Sequence, residues 1–237
     1  MMGDEGVLSH IKTKTIFVIW SGVNEMSATR KKCLDSIIRL SRCNVCLVTP
    51  KNLNRYILEE YPFHEAYEYL SETHKADYGR TYLMHHYGGG YMDIKSINTS
   101  YGEYFDELLE NDKIWAVGYT EIGPEAVAVL PGEGGLELRN NWDKLIGNGA
   151  YIFRPHTPLT TEWYESLHRI LDDKLHELKK YPARFPQDAY GVYFNEEVSR
   201  YPVRWTEILG DIFHPLCYKY SENISHGLPP LIFHNYH

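Results

Sequence analysis

Hydrophobic and polar positions along the chain predict alternating strands and helices. Most residues at positions 15–20 and 44–49 are apolar, and each run has the length of a buried strand. Between these runs, from about residue 27, Cys33, Ile37 and Leu40 recur at helical spacing. A strand, a helix and a second strand in this order predict a βαβ unit, and therefore an α/β fold with a mostly parallel central sheet.

The later part of the chain contains further periodic segments bounded by glycine and proline. They predict helices at 53–61, 72–87, 104–110 and 158–181, and strands at 91–94, 113–119 and 150–153. Residues 121–141 are rich in Gly, Pro and Glu without a clear period. We expect them to form an excursion over one end of the sheet, which is either a mobile substrate-specific loop or a solvated surface.

The end of the first predicted strand is a candidate binding position. In open parallel sheets, ligands bind at the carboxyl ends of the strands. Trp20, Ser21 and Gly22 occupy such an end. Trp20 either stacks on a nucleobase or is an ordinary tryptophan of the core or its rim.

The stretch 75–95 combines a helix, three consecutive glycines and a short strand that ends on an acid. Asp77 and Arg80 lie one turn apart on the helix, and the glycines stop it because they adopt φ > 0 and allow a tight reversal. Ten helical residues span about 15 Å and four strand residues about 13 Å, so a strand that doubles back returns Asp93 to the level of Arg80. Two acids and a guanidinium so placed predict a clamp for a ligand with hydroxyls and phosphates.

Composition narrows the range of partners and compartments. The 237 residues carry a net charge of −8 and no dense Lys/Arg block, which argues against nucleic acid and anionic membranes as partners. Aromatic residues make up 14% of the chain, a content that suits stacking on rings and sugar faces. The sequence has no signal-peptide pattern and no long apolar run, and its four cysteines do not form a disulfide framework. We therefore expect a cytoplasmic protein with reduced thiols, and one domain over 1–237.

Several polar residues outside the 75–95 stretch are further candidates. Asn148, between two glycines, is either a turn residue or an amide presented to a ligand. Asp188 is a lone acid in a proline-flanked loop. His234 and His237 are either part of a disordered tail or ligands that fold back onto the site.

Motifs of the P-loop, dinucleotide-binding, serine-hydrolase and zincin types are absent from the sequence.

Three segments together resemble glycosyltransferases with a DXD-containing sugar-binding region, including capsular-polysaccharide-synthesis-type proteins. The specific part is Lys-Ala-Asp-Tyr-Gly-Arg at 75–80 followed by His-Tyr-Gly-Gly-Gly-Tyr-Met-Asp at 86–93, and residues 16–22 and 147–155 support it. The glucosylating bacterial toxins are similar in the same pattern, an Asp-x-x-Arg with a second Asp sixteen residues after the first.

The resemblance implies a single GT-A domain that transfers a sugar, as a hexosyltransferase, from a UDP- or GDP-sugar to a hydroxyl of a glycan, mostly with retention. Matching positions imply that Trp20 stacks on the base, Asp77 meets the ribose or donor sugar, and Arg80 meets sugar or phosphate. Asp93 would be the first acid of the DXD, and Asn148 would lie near the transferred sugar. Together with the position of residues 20–22 at a strand end, this gives the expected donor-binding residues, which are Trp20, Ser21, Gly22, Asp77, Arg80 and Lys95. The expected catalytic residues are Arg80, Asp93, Asn148 and, as a candidate acid on the acceptor side, Asp188.

The chain departs from the family at the DXD itself, which here reads Asp93, Ile94, Lys95. A lysine about 4 Å from a divalent ion repels it by ~8 kcal/mol at an effective dielectric of ~20. Either Lys95 points away, and Mn²⁺ or Mg²⁺ is bound by Asp93 with a C-terminal group such as His234, or Lys95 replaces the metal by contacting the diphosphate.

Two other functions are compatible with the sequence. The missing acid favours a non-catalytic nucleotide-sugar or glycan-binding protein of the same fold. A phosphodiester hydrolase that uses Asp93 with His85 and His86 is a weaker alternative, because adjacent histidines on a helix point about 100° apart and rarely share one metal.

Overall fold

A six-stranded central sheet organises the computed structural model, which describes residues 8–234. In chain order the strands are β1 (Thr15–Ile19), β2 (Asn44–Val48), β3 (Gly89–Met92), β4 (Ala116–Thr120), β5 (Ile146–Phe153), β6 (Tyr193–Phe194), β7 (Glu197–Val198) and β8 (Ile224–Ser225). The sheet order is β2-β1-β3-β5-β4-β8, and β6 and β7 form a separate hairpin. Strand β5 runs antiparallel to its neighbours β3 and β4, whereas the other sheet pairs are parallel. The predicted α/β class with a mostly parallel sheet is confirmed.

Seven α-helices pack around this sheet within the described residues. They are α1 (Ser9–Lys12), α2 (Ala28–Leu40), α3 (Glu72–His86), α4 (Tyr104–Glu110), α5 (Gly132–Asn140), α6 (Pro158–Lys180) and α7 (Gly210–Lys219). The two faces of the sheet bury separate cores because successive strand side chains point to opposite faces. Phe17 and Tyr91 lie in the core with α3, α6 and α7, whereas Ile16, Val18 and Met92 lie in the core with α1, α2 and α4.

Helix α3 and strand β3 form the predicted helix–glycine–strand unit. Ser71 caps the start of α3 by accepting a hydrogen bond from the amide of His74. After the helix, Gly88 and Gly89 adopt φ values of 62° and 83°, and the chain turns directly into β3. The predicted unit is confirmed, although the strand begins and ends two residues earlier than expected.

Two local predictions are wrong for physical reasons. The predicted helix at 53–61 is a short 3-10 turn, Leu53–Tyr56, because tertiary hydrogen bonds take up the next backbone groups. The Leu58 amide donates to the Tyr82 hydroxyl, which donates to the Tyr61 carbonyl. The strand predicted at 150–153 begins earlier, at Ile146, so the Gly-Asn-Gly segment is part of β5 and Asn148 is not a turn residue. The ring of Tyr119 on β4 fills the space beside it, since a Cβ at Gly147 would lie 2.1 Å from Cζ of that ring.

Residues 121–141 are more regular than predicted. They contain a 3-10 turn, Pro124–Ala126, and helix α5, and they place Val127 and Leu138 in a core of the protein. The segment therefore packs as part of the fold and is not a wholly solvated surface.

None of the helices in residues 8–234 is both long enough and apolar enough to cross a membrane. The cysteines Cys33, Cys43, Cys46 and Cys217 all carry free thiols.

Candidate functional site

Arg80 lies at the centre of a buried polar cluster. Its Nη2 atom is 3.3 Å from Oδ1 of Asp77, one helical turn away, and 3.3 Å from Oδ1 of Asp93, just after β3. Its Nη1 donates a hydrogen bond to the backbone carbonyl of Asn148 on β5, at 2.8 Å. The guanidinium also stacks over the ring of Tyr91, with Cζ 4.3 Å from the ring centroid. One side chain, 7% exposed, thus joins a helix and two strands.

Asp93 is held on both of its carboxylate oxygens. The hydroxyl of Tyr91 donates to Oδ1 at 2.9 Å, and Nζ of Lys95 donates to Oδ2 at 2.6 Å. The Asp93 amide donates to the carbonyl of Gly149 at 2.8 Å, which extends the pairing of β3 with β5 by one residue. Lys95 therefore turns towards Asp93 in this structure, and whether it replaces a metal stays a prediction.

The two acids of the cluster have different electrostatic environments. Burial raises the pKa of Asp77 to about 6, although Arg80 lowers it, and the nearby Asp93 raises it further. Burial also acts to raise the pKa of Asp93, but the charges of Arg80 and Lys95 and the hydrogen bonds from Lys95 and Tyr91 outweigh it and lower that pKa below its ordinary value. Asp93 is therefore a permanent anion near neutral pH, while Asp77 gains a proton in mild acid.

Trp20, Ser21 and Gly22 lie where the sequence placed them, at the carboxyl end of β1. Nε1 of Trp20 donates to the carbonyl of Asn24 at 2.9 Å, which orients the half-buried indole. The Ser21 hydroxyl donates to the carbonyl of Glu72 at 2.6 Å and ties this strand end to the start of α3. Because β1 and β3 are parallel neighbours, their carboxyl ends meet at one edge of the sheet. Nucleobase stacking on Trp20 stays a prediction.

Asn148 belongs to a buried network that the sequence did not reveal. Nε2 of His214 lies 3.3 Å from Nδ2 of Asn148 and 3.3 Å from Oε2 of Glu121. The amide of Ala128 donates to Nδ1 of His214 at 3.0 Å, so Nδ1 is an acceptor and the N–H of the ring is at Nε2, which faces Glu121. Glu121 and His214 are almost wholly buried, on the strand end after β4 and on α7, and only the fold brings them together.

Tyr91 and Tyr119 are further site residues that sequence reasoning missed. Tyr91 contacts both Arg80 and Asp93, and the hydroxyl of Tyr119 accepts a hydrogen bond from the amide of Gly149 at 3.1 Å. The signal for Tyr91 was its place two residues before Asp93 in the same strand, which puts both side chains on one face.

Asp188 is separate from the Arg80 cluster in its hydrogen bonding. It is 0% exposed, and its Oδ2 accepts a hydrogen bond from the amide of Arg184 in the same loop at 2.9 Å. Its role as an acid on the acceptor side stays a prediction, and its burial argues against direct contact with an acceptor.

The last described residues do fold back towards Lys95. Nζ of Lys95 lies 5.2 Å from the ring centroid of Phe233, and Ile232 pairs with Ser96 through a backbone hydrogen bond. His234 follows as an exposed residue, and His237 lies outside the described residues.

The residues around Asp93 do not fit the expected site for Mn²⁺ or Mg²⁺. Both carboxylate oxygens already face cations, Arg80 and Lys95, and a divalent ion there would meet two like charges. Mg²⁺ and Mn²⁺ prefer carboxylate and carbonyl oxygens, whereas the expected second ligand, His234, is an imidazole. The predicted metal at Asp93 and His234 stays a prediction that this donor set does not favour.

His85 and His86 lie with His156 in a cluster of their own. Asp93 pairs instead with Arg80 and Lys95. The contacts of the described residues thus do not assemble the hydrolase site that combined Asp93 with these two histidines.

Comparison with known proteins gives one family match. A family model described as "Capsular polysaccharide synthesis protein" matches residues 5–121, just under half of the chain. That range includes Asp77, Arg80, Asp93 and Lys95, whereas Asn148, Asp188 and His234 follow it. Comparisons with curated proteins and with solved structures found no match. Over its first half the chain is thus similar to this family.

Proposed function

We propose that the chain is a glycosyltransferase of a single GT-A domain that moves a hexose from a UDP- or GDP-sugar to a hydroxyl of a glycan, with retention. The observation that carries the proposal is the cluster of Arg80, Asp93 and Lys95 beside the carboxyl end of β3. The family match supports it, because residues 5–121 hold all three side chains.

The chemistry of sugar transfer requires positive charge near the leaving group. The bond between the anomeric carbon and the diphosphate breaks, and an acceptor oxygen bonds to that carbon from the same face, so that the configuration is retained. The proton of the acceptor hydroxyl passes to an oxygen of the departing diphosphate. Negative charge grows on the departing diphosphate, and cations fixed in advance stabilise it most strongly. Arg80 and Lys95 supply such cations, and Asp93 holds both within 3.3 Å.

The carboxyl ends of β1 and β3 are the proposed donor-binding surface. Trp20 is proposed to stack on the base, with Ser21 and Gly22 forming the adjoining backbone. Asp77 is 3% exposed and lies against Arg80, so its proposed part in binding the sugar is exerted chiefly through the position of Arg80. Asn148 is proposed to lie near the transferred sugar, because Arg80 binds its carbonyl.

Lys95 is the proposed replacement for a divalent metal. A metal bound at a DXD would neutralise the charge of the diphosphate. Here the ammonium group of Lys95, 2.6 Å from Asp93, is proposed to perform that neutralisation as a point charge. Transfer that does not depend on Mn²⁺ or Mg²⁺ follows from this assignment.

A transfer assay with labelled UDP- and GDP-sugars and a panel of glycan acceptors tests the proposal. We expect transfer that persists in EDTA, and a loss of about 100-fold in kcat in Lys95→Ala, because a charge that acts on the leaving group is removed. Lys113→Ala is the matched control, since Lys113 is an exposed lysine far along the chain from the cluster. No transfer and no binding with any uridine or guanosine donor would contradict the proposed function.

Lys95→Asp distinguishes a site in which Lys95 neutralises the diphosphate from one in which a divalent metal does so. This substitution rebuilds the Asp-x-Asp pattern, and a gain of Mn²⁺-dependent transfer above that of the native protein would show that a metal is the better catalyst here. Under the lysine assignment, we expect Lys95→Asp to lose transfer in EDTA and to regain at most part of it with Mn²⁺.

A non-catalytic nucleotide-sugar or glycan-binding protein is the second candidate. The lysine at the last DXD position favours it, because a metal ligand of the family pattern is missing. Titration calorimetry paired with turnover distinguishes the two candidates. Tight donor binding without transfer or hydrolysis, with and without Mn²⁺, would support the binding protein.

A further inference from the structure

Three histidines converge where the end of α3 meets the start of α6. His85 and His86 are the last two residues of α3, and His156 directly precedes Thr157, the N-cap of α6. One ring nitrogen of each lies within 4.8 Å of those of the other two. The three-histidine cluster (His85, His86 and His156) is thus assembled from segments that are seventy residues apart in the chain.

Three ring nitrogens of this cluster are buried without a hydrogen-bond partner among the described residues. His86 is 8% exposed, and neither of its ring nitrogens has a hydrogen-bond partner among the described residues. The buried Nδ1 of His85 is also unpaired within that part of the chain. Buried polar atoms are nearly always paired, and each exception requires an explanation. A bound cation would take one nitrogen of each imidazole and so give a partner to one atom of His85 and one of His86, because a neutral imidazole nitrogen is a metal ligand.

Aromatic neighbours hold the rings in position. Tyr164 stacks on His85 with centroids 4.8 Å apart and an interplanar angle of 12°. Tyr61 and Tyr82 flank His86 at 4.7 Å and 4.4 Å. These contacts orient the two imidazoles of α3, whose centroids are 4.6 Å apart despite their adjacent positions on the helix.

The backbone of His156 also adopts an unusual conformation at this place. Its φ is 56°, a left-handed value that is uncommon for residues other than glycine. Its amide donates to the carbonyl of His85 at 3.0 Å, which fixes the exposed third ring beside the other two. Such a conformation persists only where the surroundings impose it, and it often marks a functional position.

We infer that the three-histidine cluster is a Zn²⁺ site that joins the end of α3 to the start of α6. Imidazole nitrogens suit Zn²⁺ among the abundant divalent cations, and the exposed side of His156 leaves a position for a water molecule. Nitrogens around tetrahedral Zn²⁺ lie about 3.3 Å apart, so the ring nitrogens approach one another by up to about 1.5 Å when the ion binds.

This site is separate from the proposed donor-binding surface. Six residues of helix separate Arg80 from His86, a rise of about 9 Å along α3. The carbonyls at the end of α3 attract a cation and the start of α6 repels one, so helix dipoles largely cancel and the imidazoles decide the binding. The inference does not depend on the proposed transfer activity.

Metal titration of the full chain, without an affinity tag, tests the site. Zn²⁺ is titrated into protein stripped with EDTA, and Co²⁺ serves as a spectroscopic probe of four-coordinate geometry. We expect one equivalent of Zn²⁺, visible Co²⁺ absorption, and a rise in melting temperature on Zn²⁺ addition. His156→Asn should weaken Zn²⁺ binding by about tenfold or more, since loss of a ligand exceeds the usual loss of a supporting partner. Asparagine is chosen because it tolerates the left-handed backbone.

His176→Asn is the matched control, because His176 is an exposed histidine on α6 outside the cluster. His85→Gln is a second variant that supports or overturns the inference by the same titration. Equal Zn²⁺ affinity in the native protein, His156→Asn and His85→Gln would overturn the inference. Weak binding that His176→Asn reduces as much as His156→Asn would overturn it as well.

Discussion

At the scale of single residues, Arg80 faces the carboxylates of two acids in the interior of the protein. It compensates the buried Asp77 and contributes with Lys95 to compensating Asp93. Removing one partner of a buried ion pair leaves an uncompensated charge in a medium that solvates it poorly. An exposed pair has no such penalty, because water solvates whichever charge remains.

Arg80→Gln is therefore expected to destabilise the fold as well as to abolish transfer. We expect a loss of about 3–5 kcal/mol in the free energy of unfolding, measured by urea denaturation at pH 7.5. The matched control is Arg39→Gln, which breaks the exposed pair with Asp35 on α2 and should cost at most about 1 kcal/mol. Similar losses in the two variants would contradict the buried-pair assignment.

The part of the site that lies within 75–95 was predictable, whereas its surroundings were not. Asp77, Arg80 and Asp93 meet because a helical turn and a glycine reversal fix their positions locally. His214 and Glu121 meet Asn148 only after α7 and β4 have packed on β5, and no local pattern encodes that contact. The direction of Lys95 was equally undetermined by the sequence, because it depends on the charge balance around Asp93.

At the scale of secondary-structure elements, the glycine reversal between α3 and β3 has no room for a side chain. A Cβ at Gly88 would lie 2.5 Å from Cδ of Pro155 and 2.8 Å from the carbonyl oxygen of Phe153. Its φ of 62° adds backbone strain for any other residue. The reversal thus depends on glycine for both conformation and space.

Gly88→Ala should destabilise the protein more than the same substitution at a glycine of similar φ that has no close neighbours. Gly132 is the matched control, because its φ is 74° and a Cβ added to it would have no heavy atom within 4 Å. We expect Gly132→Ala to lower the free energy of unfolding by about 1–2 kcal/mol, from backbone strain alone. Gly88→Ala should lower it by a further ~1–3 kcal/mol, because overpacking adds to the same strain. Urea denaturation of both variants measures the difference, and equal losses would show that the reversal relaxes freely.

Elements were predicted best where their ends carry clear signals. Helices α2 and α3 begin after Ser27 and Ser71, whose side chains cap them, and both were expected near those positions. Helix α5 was missed because it contains three glycines and no apolar period. Gly135 is required there by tertiary packing, since a Cβ would lie 2.0 Å from the carbonyl oxygen of Leu130.

At the scale of the whole molecule, several histidines are kept neutral by burial. Burial lowers the pKa of His74 to about 4, and its ring lies between the Tyr201 hydroxyl and the carbonyls of Arg204 and Trp205. Burial also lowers the pKa values of His86 and His168 to about 4. In the unfolded chain these groups bind protons near pH 6.5.

Stability is therefore expected to fall as the pH drops from about 6.5 towards 4. Over that range these histidines bind protons in the unfolded chain but not in the folded protein, and each adds a slope of up to about 1.4 kcal/mol per pH unit. Asp77, whose pKa burial raises to about 6, opposes them with at most one proton. Urea denaturation at a series of pH values measures the slope. His74→Gln should reduce it by up to one proton, whereas His176→Gln, at an exposed position, should leave it unchanged. An unaltered slope in His74→Gln would mean that His74 titrates normally in the folded protein.

Strand β4 lies between β5 and β8, and both follow it in the chain. As the ribosome makes the protein from its N-terminus, β1, β2 and β3 can pair soon after they emerge, but β4 emerges before either of its neighbours. Asn148, whose carbonyl Arg80 binds, also arrives only with β5. Until β5 inserts between β3 and β4, the nascent chain presents an unpaired strand edge beside its buried charges. Because unpaired strand edges promote aggregation, we expect the nascent chain to be most prone to aggregate during this interval.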